Sequence, residues 1–248
     1  MGSFRRRIVV SHRSGASGGE VRAALEDDFH HFRVAVGHEL EQVSNIRGSA
    51  LRNPYSLCPA AADQLPRLVG MRLDTIASAV TRATDAVEQC THLLDLAGLA
   101  IAAAARRGVR RQYDIEVADR VDGRTQAQLR CDDRPLLSWQ VHDTTISGPA
   151  PFAGVSLRHG LARWALDNLP PDEAEAAIVL RRCAMISLGR MKNLDAQAHA
   201  MPTGHCFVQQ PARAEQAIRI VGSTWDFSER ERARELCAAD ADWLTFRE

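Results

Sequence analysis

Between Glu88 and Ala105 the chain carries its longest apolar run, and a thiol, an imidazole and a carboxylate stand near its start: Cys90, His92 and Asp95. Leu93, Leu96, Ala97 and Ala100 recur at helical spacing. The Thr91 hydroxyl can take an orphan N–H of the first turn. The stretch is therefore predicted to be a buried helix. His92 and Asp95 are three residues apart and share a face. A buried polar group is costly unless it is partnered, so each needs a reason. One reason is structural, with His92 bridging elements and Asp95 bonded to it. The other is a functional site.

The chain of 248 residues can bury a substantial core. Lys and Arg together balance Asp and Glu at 31 each, which argues against a protein built to grip nucleic acid. The positive charge is almost all arginine, and Lys192 is the only lysine. No apolar run reaches the roughly 18 residues of a membrane span. The basic start, Met1 to Arg7, leads into Ile8-Val9-Val10, too short for the apolar region of a secretory signal. Six cysteines at 58, 90, 131, 183, 206 and 237 form no C-x-x-C pair. A cytoplasmic protein with free thiols is expected.

In chain order, residues 4–12 read as a strand and 13–19 as a Ser/Gly-rich loop. Glu20 to Asp28 reads as a short helix or the entry to a strand, with the lean to helix. From Phe29 the pattern alternates, with His30, Phe32, Val34 and Val36 on one face and Phe29, His31, Arg33 and Ala35 on the other. A turn at Gly37–Glu39 and a return strand over Leu40–Arg52 complete a hairpin. Asn53-Pro54-Tyr55 breaks it. A helix then starts at Cys58-Pro59 and ends at Gly70, a second spans Asp74–Val87, and the Thr91 helix closes near Gly108. Strands follow at 112–120, 125–130 and 136–141, with Asp132-Asp133 as a turn. Helices are predicted over Ser156–Leu169, from Pro170 to about Met191, and over Ser228–Trp243. No composition shift marks a boundary. The expectation is a single α+β domain over 1–248, with two antiparallel hairpin or meander groups packed on about five helices and residues 228–248 as a peripheral C-terminal helix.

Adjacent histidines on a strand point to opposite faces. The face with Phe32, Val34 and Val36 favours His30 as the inward one; the other, with Asp28 in reach, favours His31. Alternation alone leaves both open. Tyr55, one of two tyrosines, sits at a strand-to-helix junction beside Arg52. Arg158 opens a helix after a Gly/Pro loop, where free N–H groups can hold an anion or a phenolate. Lys192, at a helix end, either complements the helix dipole or serves proton transfer. Cys58, Cys90, His92 and a strand histidine are ligand types that zinc accepts. Their only short pair is Cys90-x-His92, whose spacing points two helical side chains apart, so no metal is expected. No nucleotide or serine-hydrolase motif occurs, and any enzyme here is expected to work without a cofactor.

Tyr55-Ser56-Leu57-Cys58-Pro59, Leu68-Val69-Gly70-Met71 and Cys90-Thr91-His92-Leu93-Leu94-Asp95-Leu96 resemble the bacterial domain of unknown function 2889 family. The likeness is tightest over about residues 29–100. The chain departs from it at Gln89, where glycine is common, and at Asp95, where glutamate is frequent, which marks a divergent member. The resemblance implies bacterial catabolism of aromatic compounds, by a cofactor-free carbon–carbon lyase that releases formaldehyde from a lignin-derived diaryl propanediol. Its implied roles are His92 or His31 as base, Tyr55 as acid, Lys192, Arg52 or Arg158 against a phenolate or quinone-methide oxygen, and Asp28 and Asp95 at the substrate. The rival expectations are a non-catalytic ligand- or partner-binding protein and a zinc-stabilised domain. A homodimer is expected on the prevalence of twofold symmetry alone.

Overall fold

The computed structural model describes residues 2–247. Eight strands run in the order β4-β3-β2-β1-β5-β6-β7-β8: β1 Ser3–Ser14, β2 Gly18–Asp27, β3 His31–Glu39, β4 Gln42–Arg52, β5 Arg110–Ala118, β6 Arg124–Cys131, β7 Arg134–His142 and β8 Thr145–Gly148. The fold is α+β, and the two expected strand groups belong to one antiparallel sheet. The helices are α1 Thr91–Arg106, α2 Leu161–Asn168, α3 Pro171–Ile186 and three short ones, α4 Pro211–Ala214, α5 Arg230–Glu235 and α6 Ala241–Leu244.

Residue contacts group into two compact units. One comprises the residues up to Arg7, Gln112–Leu194 and Asp226–Leu236. Its core is aromatic: Trp139 packs on Phe152 at 5.2 Å between ring centroids, and Phe152 on Trp164 at 5.4 Å. The other comprises Ile8–Arg111, Asp195–Trp225 and the residues from Cys237 on. There α1 lies against β2 and β3, burying Leu93, Leu96, Ala97, Ala100 and Ile101. Its alanines and Gly98 allow close approach: a Cβ on Gly98 would meet the Ala77 carbonyl oxygen at 2.2 Å.

Several elements differ from expectation. Residues 20–27 belong to β2, not to a helix, and the last five residues of β2 are all buried. A strand with neighbours on both sides loses the half-polar alternation that marks an exposed one. The β3–β4 turn falls at Leu40–Glu41, both with positive φ, the two-residue turn that suits the twist of paired strands. Asp132–Asp133 makes the same kind of turn, as expected, between β6 and β7. Residues 59–68 form a 3-10 helix. In place of a helix over 74–87 there are short 3-10 turns at Ala77–Arg82 and Ala86–Glu88. Asp74 and Asp85 accept the N–H two residues on, at 2.8 and 3.2 Å, local bonds that compete with a helix.

Cys90, not Thr91, is the N-cap of α1, and Arg107, not Gly108, takes the left-handed position at its end. The C-terminal stretch is no single helix. It breaks at Cys237, where φ is +57°, because Leu236, Cys237, Asp240 and Leu244 are drawn into the core.

Candidate functional site

The site grows from the turn between β2 and β3. The Asp27 carboxylate accepts the backbone N–H groups of Phe29 at 2.7 Å and His30 at 2.8 Å. The Asp27 N–H returns to the His30 carbonyl at 2.8 Å. An aspartate bonding amides two and three residues ahead is how a short side chain shapes a tight turn. That turn sends His30 to one face of β3 and His31 to the other.

On one face, His30 meets α1. The rings of His30 and His92 stack with centroids 3.9 Å apart and planes 30° from parallel. His30 Nδ1 lies 3.1 Å from the Asp27 carboxylate. Phe32 closes the group, 5.4 Å from His30 and 5.9 Å from His92. Asp27 is fully buried, and His30 and His92 are 8% and 6% exposed. Asp27 fixes which His30 nitrogen faces it, so the other is the one left to act. One ligand atom from each of Asp27, His30 and His92 lies within 4.8 Å of the others. This is the one such group of three or more among the described residues, and it contains no cysteine. The zinc set of Cys58, Cys90 and His92 is therefore corrected: the partners of His92 are a carboxylate and an imidazole.

Arg52 fastens the turn from behind. Its guanidinium donates to the carbonyl oxygens of Asp28 at 3.0 Å, Ser223 at 3.1 Å and Asp27 at 2.5 Å, and to the Glu26 carboxylate at 3.3 Å. Trp225 covers it, with its ring 4.3 Å from the guanidinium carbon. The Arg52 side chain thus holds the backbone that aims Asp27 and His30. Asp28 is fully buried in the same turn, and its carbonyl also takes the Trp225 N–H at 2.7 Å.

On the opposite face of β3, His31 sits between two carboxylates, 2.9 Å from Asp240 and 3.6 Å from Glu26. Arg33 also donates to Asp240, and Glu26 accepts the Cys237 N–H at 2.8 Å. Burial pushes the Asp240 carboxyl up, but the His31 and Arg33 partners hold it below the usual carboxylate range. These contacts bind the C-terminal segment to the sheet.

The other expected residues lie elsewhere. The buried Tyr55 hydroxyl donates to Gln197 at 3.0 Å, and Arg219 lies 6.0 Å from its ring; burial raises its pKa. Asp95 is half-buried on α1. Lys192 and Arg158 are exposed and belong to the unit that holds α2 and α3. Arg158 donates to the Thr144 hydroxyl at 3.2 Å. Cys58 and Cys90 are buried thiols whose pKa burial raises, that of Cys90 to about 12. One surface cleft is lined by Arg13, His38, Asn45 and Arg47, another by Arg33, Ile46, Ala62 and Trp243; neither lining includes Asp27, His30 or His92.

Sequence reasoning named His92 and Arg52 but passed over Asp27, and set His31 before His30. The signal that finds them is Asp27-x-x-His30 across a turn, with His30 on the same strand face as Phe32, Val34 and Val36. No curated protein matches the chain. Residues 11–106, which span β2 to β4 and α1, match a family model described as "Protein of unknown function (DUF2889)".

Proposed function

From the site built by residues 11–106, the segment that matches the DUF2889 family model, we propose that the chain is a carbon–carbon lyase acting on a lignin-derived diaryl propanediol. The observation that carries the reading is the buried group in which Asp27 orients His30 at 3.1 Å and His30 stacks on His92 at 3.9 Å. Paired imidazoles held by a carboxylate suit proton transfer at near-neutral pH, and Phe29 and Phe32 beside them suit an aromatic substrate.

In this reading the imidazole pair takes the proton of the primary alcohol. The carbon–carbon bond next to the alcohol then breaks, and formaldehyde leaves. The electron pair of that bond forms a double bond between the two aryl-bearing chain carbons as the benzylic hydroxyl departs as water, taking up the proton the imidazole pair removed. Arg52 acts as a positioning residue, since its donors hold the 26–30 turn.

The test is to incubate purified protein with a phenolic 1,2-diaryl-1,3-propanediol and measure formaldehyde and the diaryl alkene. The expected result is equal amounts of both, with turnover lost in His92→Gln and His30→Gln. Substrate binding without product would make the chain a ligand-binding protein instead. Full turnover in both variants would remove the imidazole pair from the chemistry.

A further inference from the structure

We infer that Asp27, His30 and His92 form a binding site for one divalent first-row transition ion. The donor set is two imidazoles and one carboxylate, each buried, with one ligand atom apiece inside 4.8 Å. Nitrogen donors of this kind select ions such as zinc, iron and cobalt over magnesium and calcium, which prefer all-oxygen cages. Metal–nitrogen bonds are about 2.1 Å. The rings now stack with centroids 3.9 Å apart and 30° from parallel, closer than two imidazoles on neighbouring positions of one ion, so binding turns them apart until both nitrogens reach the ion. Three protein ligands leave room for water or substrate, as open sites do.

The surroundings fix these donors as an outer shell does. The Asp27 carboxylate is held by the Phe29 and His30 amides. Arg52 clamps the carbonyls of Asp27 and Asp28. His92 is set by the first turn of α1, whose axis is pinned by Gly98 against residue 77. A second imidazole pair, His12 and His38, has its Nε2 atoms 3.0 Å apart, but it belongs to no group of three ligating side chains among the described residues.

Such an ion replaces the expectation of a cofactor-free site. With the ion bound, the two imidazoles are its ligands, and the ion would take over from the free imidazole pair the task of acidifying the alcohol; that role rests on the lyase reading, whereas ion binding does not and is measured without substrate.

The test uses the full chain, stripped by chelator and titrated with cobalt(II), zinc(II) and iron(II) in turn. The expected result is one ion per chain, a visible cobalt band without thiolate charge transfer, and a rise in Tm on binding. His92→Gln and Asp27→Asn should weaken binding at least about 100-fold, with their folds checked by circular dichroism. His30→Gln serves where either fails to fold. His38→Ala should bind as the parent does. Sub-stoichiometric binding, a cobalt–thiolate band, or loss of the ion in His38→Ala alone would each overturn the inference.

Discussion

Gly98→Ala is the sharpest test of how α1 is seated, and with it His92. In an isolated helix the change would stabilise by about 1 kcal/mol. Here the added Cβ would lie 2.2 Å from the Ala77 carbonyl oxygen, 3.1 Å from its carbon and 3.2 Å from Val80 Cγ2. The closest atom is backbone, so no rotamer change relieves it, and α1 or the 77–82 turn must shift. Overpacking of this kind costs about 1–3 kcal/mol. With the contact about 1 Å inside normal van der Waals separation, the upper part of that range applies. Net destabilisation is then about 1–2 kcal/mol, a drop in Tm of roughly 2–8 °C for a chain of this size. Thermal melts followed by far-ultraviolet circular dichroism give the number. An unchanged or raised Tm would show that α1 is not pressed against that carbonyl, and the seating of His92 on His30 would lose its support.

Three further outcomes follow from other residues. Burial holds the pKa of His12 and of His38 below the ordinary 6.5, so the fold prefers both neutral: stability should be full above that value and fall as the pH drops below it, with a shallower slope in His38→Gln by urea denaturation. Asp240→Asn should destabilise by about 3 kcal/mol at neutral pH, because it leaves His31 and Arg33 without their buried carboxylate; the Asp240 contribution in the parent is present above pH 3.8 and fades as acid protonates it, since its folded pKa is lowered, so parent and variant should converge in acid, and a stability gap that stays the same from pH 7 down to strong acid would contradict this. Cys58 and Cys90, with raised pKa and buried sulfurs, should resist iodoacetamide at pH 8 in the native protein, while the half-buried Cys131 and Cys206 react first in a mass-spectrometric time course.

The three-stranded β5–β7 group was legible because one face of each strand is wetter than the other, leaving alternation in the sequence, and β3, though buried along nearly its whole length, kept a run of aromatic and β-branched residues. Strand β2 was not. Val21, Ala23, Ala24 and Leu25 are all buried, and Glu26 and Asp27 follow them inward as bonded groups rather than solvated ones. Their acidic pattern looks like the end of a surface helix, and only tertiary partners reveal it as the approach to a site. Helix α1 was plain from its apolar run, and His92 with it. Its partners were hidden because His30 and His31 are both buried, each on its own face; a choice of one inward histidine cannot describe a strand covered on both sides. Lys192 drew notice by its rarity among so many arginines. Its exposure shows that rarity in composition carries no information about placement.

A crystal structure of the chain with a phenolic diaryl alcohol that lacks the scissile bond tests the central claim most directly. The expected density places an alcohol oxygen within hydrogen-bond or metal-bond reach of His92 and His30, with an aryl ring against Phe32. A ligand seated in the cleft beside His38 and Asn45, with the Asp27–His30–His92 group untouched, would contradict it.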